Sequence, residues 1–243
     1  MQQLNFNNKT KIEISIAFMQ EHEPPEGYLL GYSGGKDSGV LRNIAIEAGV
    51  KFKTYYSLMP DPPELIKFIK TRPFEINIIR PEFTFWHGVE TWFPPHRNGR
   101  WCCDYIKEKP STKIPLTHRL LGIRAEEGPN RAKQGWINQR TKKRINYHPL
   151  FDWKEWEIWE YIEEYNLPYC SLYDEGFSRL GCVVCPLRGY KQMMQYKARW
   201  PQYYRLFEKS AYKWWERTGH HRQRVRGYAQ LFDEFLDSWY RGK

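Results

Sequence analysis

A chain of 243 residues suits one α/β domain with elaborations, or a domain and a small appendage. No apolar run approaches the roughly 18–20 residues of a membrane span. The polar stretch Met1–Lys9 has no hydrophobic core of a secretion signal. The expectation is a cytoplasmic protein with no membrane partner, whose five cysteines stay reduced and serve metal or redox chemistry before disulfides. The formal charge is +10, and the excess sits late: Pro186–Lys243 holds 13 Lys and Arg against 5 Asp and Glu, with aromatics interleaved. That composition fits a nucleic acid tracked by phosphate contacts and base stacking, and equally a solvated amphipathic tail.

In chain order, Ile12, Ile14, Ile16 and Phe18 alternate with period 2 in a stretch that could also be helical. Glu23–Gly27 breaks the chain, and Tyr28–Tyr32 reads as a short buried strand. Ser33-Gly34-Gly35-Lys36-Asp37-Ser38 follows, and then a helix carrying Val40, Leu41, Ile44, Ala45 and Ala48 that ends at Gly49. A strand, a glycine turn and a helix start make an anion site, since the glycines let backbone approach and the first helical N–H groups point at the ligand. Lys36 adds a positive charge, Ser33 and Ser38 add hydroxyls, and the spacing is too short for a Walker loop.

Val50–Leu58 reads as a second strand. A helix is expected after Asp61 as N-cap with Pro62 and Pro63 in its first turn, and Phe74–Ile79 as a third strand. This alternation predicts a parallel α/β sheet with ligands at the carboxyl ends of its strands. Thr84–Arg100 is irregular and aromatic, and Leu116–Ile123 is a further strand. Lys133–Arg144 is an exposed loop or hairpin. A helix is expected after Asp152 as N-cap with Glu155 as its capping partner, ended by Asn166-Leu167-Pro168. Gln192–Tyr240 is mostly helical, with an interruption near Gly219.

Cys102 and Cys103 are adjacent, and Cys182 and Cys185 form a C-x-x-C. Two thiol pairs can hold a tetrahedral Zn²⁺ or a [4Fe–4S] cluster. Neighbouring side chains diverge, so an adjacent pair suits a cluster, which offers each thiolate its own iron, better than one small ion. Cys170 has no evident partner and reads as a small buried residue.

The chain resembles the phosphoadenylyl-sulfate and adenylyl-sulfate reductase family of PP-loop proteins. The resemblance runs from about Tyr28 to Leu187. It is carried by Ser33–Ser38, by Cys102-Cys103 with Lys107, and by Gly122-Ile123-Arg124 through Arg131. His148–Trp153, Leu167-Pro168-Tyr169, Leu172-Tyr173-Asp174 and Gly181–Pro186 complete it. It implies a Rossmann-like, adenine nucleotide alpha hydrolase-like parallel sheet flanked by helices, with a helical C-terminal extension. The division expected is a nucleotide-binding domain with an iron–sulfur cluster over residues 1–187 and a basic, aromatic-rich tail over 188–243. It also implies that Ser33, Gly34, Gly35, Lys36, Asp37 and Ser38 bind the nucleotide and that Cys102, Cys103, Cys182 and Cys185 hold a [4Fe–4S] cluster. Lys107 would then lie between cluster and substrate anions, while Arg124 and Arg131 would reach phosphate or sulfate, which Arg forks match.

Three features depart from the reductase pattern. Those enzymes attack sulfur with a Cys in a Glu-Cys-Gly-His-like motif near the C-terminus, whereas the last cysteine here is Cys185. Met59-Pro60-Asp61-Pro62-Pro63 stands where reductases show Asp-Thr-Gly, and the Ser expected before Arg131 is absent. The departures favour ATP over a sulfonucleotide. The leading expectation is an ATP pyrophosphatase, assisted by Mg²⁺, that adenylates a target, with a nucleic acid among the candidates, for attack by a sulfur donor. Two alternatives stay open. One is a sulfonucleotide reductase using a thioredoxin-like thiol or Cys170, and the other is a non-catalytic regulator that binds nucleotide and nucleic acid.

Overall fold

The computed structural model describes residues 10–141, 144–226 and 231–242. The polar N-terminal stretch 1–9 lies outside them, as do residues 142–143 of the basic segment expected as a loop or hairpin. The helices and strands run α1 (Lys11–Glu21), β1 (Tyr28–Gly31), α2 (Lys36–Glu47), β2 (Phe52–Ser57), α3 (Pro63–Lys70), β3 (Asn77–Ile79) and α4 (Phe85–Thr91). A π-helical turn (Cys102–Glu108) precedes α5 (Lys109–Ser111), β4 (His118–Leu120), α6 (Pro129–Ala132), β5 (Ile137–Thr141) and β6 (Arg144–Tyr147). The last helices are α7 (Glu155–Glu164), α8 (Tyr190–Arg199), α9 (Pro201–Arg226) and α10 (Phe232–Arg241). None of the described helices is long and apolar enough to cross a membrane.

Two compact units share these elements. The first takes the described residues of Met1–Tyr56, Pro63–Ile78 and Ile114–Leu180; the second takes Ser57–Pro62, Ile79–Lys113 and Gly181–Lys243. The units interleave along the chain, and the expected boundary at 187/188 falls inside the second.

The sheet has the order β3-β2-β1-β4-β6-β5. β1 pairs in parallel with β2 (Leu30 opposite Thr54) and with β4 (Leu30 opposite Leu120), and β4 pairs in parallel with β6. Only the edge hairpin β5–β6 is antiparallel, so the sheet is mostly rather than wholly parallel. Because the chain leaves β1 for β2 on one side and returns as β4 on the other, sheet order reverses between β1 and β4. The crevice beyond their carboxyl ends is where such folds bind ligands. Tyr28, Leu30, Val40, Leu41, Ile44, Leu120 and Leu150 bury the central strands and α2.

Several local expectations are corrected. Lys11–Glu21 is a helix, started by a capping box in which Thr10 Oγ accepts the Glu13 N–H (3.2 Å) and Glu13 returns a carboxylate to the Thr10 N–H (2.7 Å). α3 begins at Pro63, two residues after the buried Asp61. α7 begins at Glu155, and it is Glu157 Oε2 that accepts the N–H of its cap residue Lys154 at 2.6 Å, so neither Asp152 nor Glu155 caps it. The N–H of Glu155 goes to Glu126. α9 runs through Gly219 to Arg226 without interruption.

In the second unit α9 lies along α4. Glu90 of α4 accepts Ser210 Oγ (3.2 Å) and Lys213 Nζ (2.9 Å) from α9. Phe207 and Trp239 pack at 4.3 Å between ring centroids, and Trp239 Nε1 donates to the Pro95 carbonyl at 2.7 Å. Phe85 stacks on Trp101 at 5.7 Å, which closes the core beside Cys102.

Candidate functional site

The Ser33–Ser38 loop leaves β1 and enters α2 within the first unit. Gly34 has φ +74°, which L side chains rarely adopt, and a Cβ there would lie 2.7 Å from Ile69 Cγ1 of α3. On the other side the chain after β4 comes in close, since a Cβ on Gly122 would lie 3.0 Å from the Asp37 carbonyl oxygen. Ser38 Oγ ties the turn together by donating to the Gly35 carbonyl (2.8 Å) and accepting the Ser33 N–H (3.2 Å). Ser33 Oγ lies 3.4 Å from the Gly35 nitrogen.

What this leaves is a set of donors. Among the described residues, the N–H groups of Gly34, Asp37 and Ser38 take no partner, at the positive end of a 12-residue helix. Lys36 is 5% exposed; its Nζ donates to the Ser178 carbonyl at 3.0 Å and sits 3.4 Å from Glu155 and 3.9 Å from Asp37. Arg124 is buried with its Nε on Asp37 Oδ1 (2.6 Å) and its Nη1 on Glu126 Oε2 (2.9 Å). Arg124 therefore braces the start of α2, where it was expected to reach an oxyanion. Arg131, on α6, is partly exposed at 3.9 Å from Glu127, which Arg179 also approaches at 3.4 Å.

Tyr173 is a member of this site that sequence reasoning did not assign. Its hydroxyl accepts the Lys36 N–H at 3.0 Å, and its ring lies 5.2 Å from Lys36 Nζ. Burial pushes its pKa well up, so the hydroxyl keeps a proton to donate. Glu155 and the Ser178 carbonyl were missed as well. All three are more than a hundred residues from the loop, and no local pattern links them to it.

The paired cysteines belong to the second unit. Cys102 and Cys103 open the π-helical turn, a rare geometry that recurs at functional sites, and Lys107 stands exposed in the same turn. The neighbouring Cys102 thiol, with Lys107 and Arg100 nearby, holds the Cys103 pKa low, at about 6. The Cys103 neighbour and burial push Cys102 up. Burial and the Asp61 carboxylate push Cys182 up. Cys102 feels Cys103, Cys182 and Cys185, so the four thiols share one electrostatic neighbourhood. Yet among the described residues no three His, Cys, Asp or Glu side chains converge on a single-ion site. In donor chemistry the four thiols match a Cys₄ set of the kind that holds either Zn²⁺ or a [4Fe–4S] cluster. Cys170 lies in the first unit, 1% exposed, with its pKa raised by burial.

The chain is 30% identical over 201 residues to protein MJ0066 of Methanocaldococcus jannaschii, covering 74% of this chain but 40% of that one. It is 32% identical over 156 residues to adenosine 5'-phosphosulfate reductase of Shouchella clausii, covering 60% of this chain and 64% of the enzyme. The chain thus spans less than two thirds of either relative's length. FMN adenylyltransferase of Candida glabrata, in complex with FAD and inorganic pyrophosphate, superposes with a TM-score of 0.51 at 18% identity over 70% of this chain and 61% of that one, a likeness of fold. The family model of the phosphoadenosine phosphosulfate reductase domain matches residues 27–188, which hold the glycine loop, Arg124, Arg131 and all five cysteines, and the chain belongs to that family.

Proposed function

We propose that the chain is a PP-loop ATP pyrophosphatase that carries a [4Fe–4S] cluster and adenylates a target for sulfur transfer. The observation that carries the nucleotide half is the set of unpartnered N–H groups on Gly34, Asp37 and Ser38 around buried Lys36, where sheet order reverses. In the proposed step an oxygen of the target attacks the α-phosphorus. The bond to the α–β bridging oxygen breaks, and pyrophosphate leaves with the electron pair. The loop amides and Lys36, which would exchange Glu155 for phosphate oxygens, stabilise that leaving group. A sulfur donor then bonds to the activated atom of the target, and AMP departs with the oxygen. Mg²⁺ arriving with the nucleotide would neutralise phosphate charge. Arg131, partly exposed on α6, would reach a substrate anion, and Lys107, in the same turn as Cys102 and Cys103, would face the thiols.

Two observations favour ATP over a sulfonucleotide. The Arg124 guanidinium is engaged by Asp37 through Nε and by Glu126 through Nη1, which leaves it no complete fork for a sulfate. Cys170, the thiol that could stand in as a nucleophile, is buried and protonated. Cys102, Cys103, Cys182 and Cys185 would hold the cluster, which supplies one-electron chemistry or a structural tether and, with four Cys ligands, leaves no iron open to bind sulfide. A nucleic acid is the target that the basic C-terminal region suits.

The second reading, sulfonucleotide reduction by an external thioredoxin-like thiol, is favoured by the reductase among the relatives. Anaerobically purified protein given ATP should accumulate pyrophosphate. Sulfite from adenylyl sulfate or its 3'-phosphate with thioredoxin, and no pyrophosphate from ATP, would replace the first reading with the second.

A further inference from the structure

The Cys182–Cys185 loop has no regular secondary structure to hold its shape; it runs as an irregular turn ahead of α8. Its backbone is nonetheless fully engaged on one side. Arg188 reaches back across the turn, its Nη1 donating to the carbonyls of Cys182 and Val183 and its Nη2 to that of Gly181 (3.2 Å). The guanidinium lies over the buried Tyr196 ring, with its carbon 3.5 Å from the ring centroid. The Arg188 N–H donates to the Cys185 carbonyl at 3.2 Å. One residue thus collects four carbonyls of the loop. Tyr204 OH takes a second lone pair of the Val183 carbonyl at 3.1 Å, and the Val183 N–H donates to the Pro60 carbonyl at 2.8 Å.

In a trans peptide the C=O and the following N–H point opposite ways, and the chain has no cis bond among the described residues. With the carbonyls of Gly181 and Val183 fixed on the guanidinium, the N–H groups of Cys182 and Val184 face away from it. Neither takes a partner among the described residues. Amides that flank thiolates and have no other acceptor are the donors that set the potential of an iron–sulfur centre through N–H···S bonds.

We propose that Arg188 is a positioning residue for the cysteine loop. Its planar fork gathers the carbonyls of residues 181–183 and so presets the Cys182 and Val184 amides toward bound sulfur. The inference rests on the cluster reading above, but the clamp itself is a property of the chain and can be tested without metal. Lys carries the same charge as a point donor and cannot fork across three carbonyls. The informative variants are therefore Arg188→Lys and Arg188→Gln in the full chain.

In metal-free, reduced protein, both variants should exchange the Val183 amide hydrogen at least tenfold faster than the parent chain. Amides of the first unit should be unchanged, which also reports that the chain is folded. After anaerobic reconstitution with iron and sulfide, both should retain less than half of the parent's acid-labile sulfide. The residual centre should show a shifted midpoint potential and an altered electron paramagnetic resonance spectrum on reduction. Unchanged exchange at Val183, or full sulfide content with an unmoved potential in Arg188→Lys, overturns the inference. Fast exchange in the variants of a parent that binds zinc and no sulfide would instead keep the clamp and overturn the cluster.

Discussion

The Ser33–Ser38 loop and the Cys182–Cys185 loop both bare backbone N–H groups, but they are held from opposite directions. The first grows directly out of β1 and into α2, so a strand and a helix fix it at both ends. Its own serines and Tyr173 tidy what remains. Its charges are nearly balanced beforehand, with Lys36 and Arg124 set against Asp37, Glu126 and Glu155. The second loop has no such frame, and one guanidinium grips its carbonyls from behind. The difference teaches that a strand and a helix can fix a turn at both ends and leave the first helical N–H groups bare without help from any distant side chain. A turn without such a frame is held here by one guanidinium on its carbonyls.

The sharpest break of that comparison is removal of a thiol. Cys182→Ser should lose essentially all bound iron and acid-labile sulfide, while Cys170→Ser, buried in the first unit, should keep both at the parent's level of about four per chain. Equal content in the two variants would mean that the paired cysteines are not the ligands. Next in size is Lys36→Ala. If a preformed cradle stabilises leaving pyrophosphate, losing its one buried ammonium should lower the rate of pyrophosphate release by about 100-fold, or ~2.7 kcal/mol. Iron and sulfide should stay untouched. A loss of under threefold would mean that the backbone suffices and that Lys36 is merely packed there.

How much of this was legible in the chain follows from how local each determinant is. The strand–turn–helix around Ser33–Ser38 is contiguous, and every part of it reads directly. The two thiol pairs stand out in the sequence because their residue type is informative on its own. α1 did not read cleanly because Ile12, Ile14, Ile16 and Phe18 mimic a strand, although Thr10 and Glu13 stand at capping-box spacing and could have settled it. At α7 the reverse happened: Asp152 and Glu155 have the right spacing, yet the helix starts later and Glu157 does the capping. Arg124 read as an oxyanion ligand because its acidic partner Asp37, 87 residues away, comes into contact only through the sheet order. Tyr173 with Lys36 was illegible for the same reason. Arg188 sits only three residues beyond Cys185 but has no motif of its own.

A third, smaller effect separates the two glycines of the nucleotide loop and its helix. Gly34→Ala forces a side chain into φ +74° and against Ile69, so it should cost about 1–3 kcal/mol of stability and abolish nucleotide binding. Gly39, one turn into α2, has open space where its Cβ would be, so Gly39→Ala should stabilise by up to ~1 kcal/mol. Urea midpoints of the two variants should move in opposite directions. Movement together would show that the loop is not as rigidly framed as its strand and helix suggest.

The smallest effect concerns His148, which holds the segment beyond Arg124 and Arg131. Its ring Nδ1 lies 2.6 Å from the Gly135 carbonyl, which places a proton on Nδ1, and its backbone N–H donates to the Trp136 carbonyl. The ring is fully buried, and Nε2 has no partner. Burial lowers its pKa below the ordinary histidine value, with the nearby Arg131 acting in the same direction. Between the lowered folded value and about 6.5 the unfolded chain binds a proton that the folded chain refuses, so stability is fully present above about 6.5 and falls as pH drops through that window. The slope from this one group is at most about 1.4 kcal/mol per pH unit. His148→Asn should start less stable at pH 8 through loss of the Gly135 contact. It should then lose less between pH 7 and pH 5 than the parent chain in urea titrations. Parallel losses would show that His148 takes up its proton inside the fold, and with it the frame that carries Arg124 and Arg131 would be looser than its packing implies.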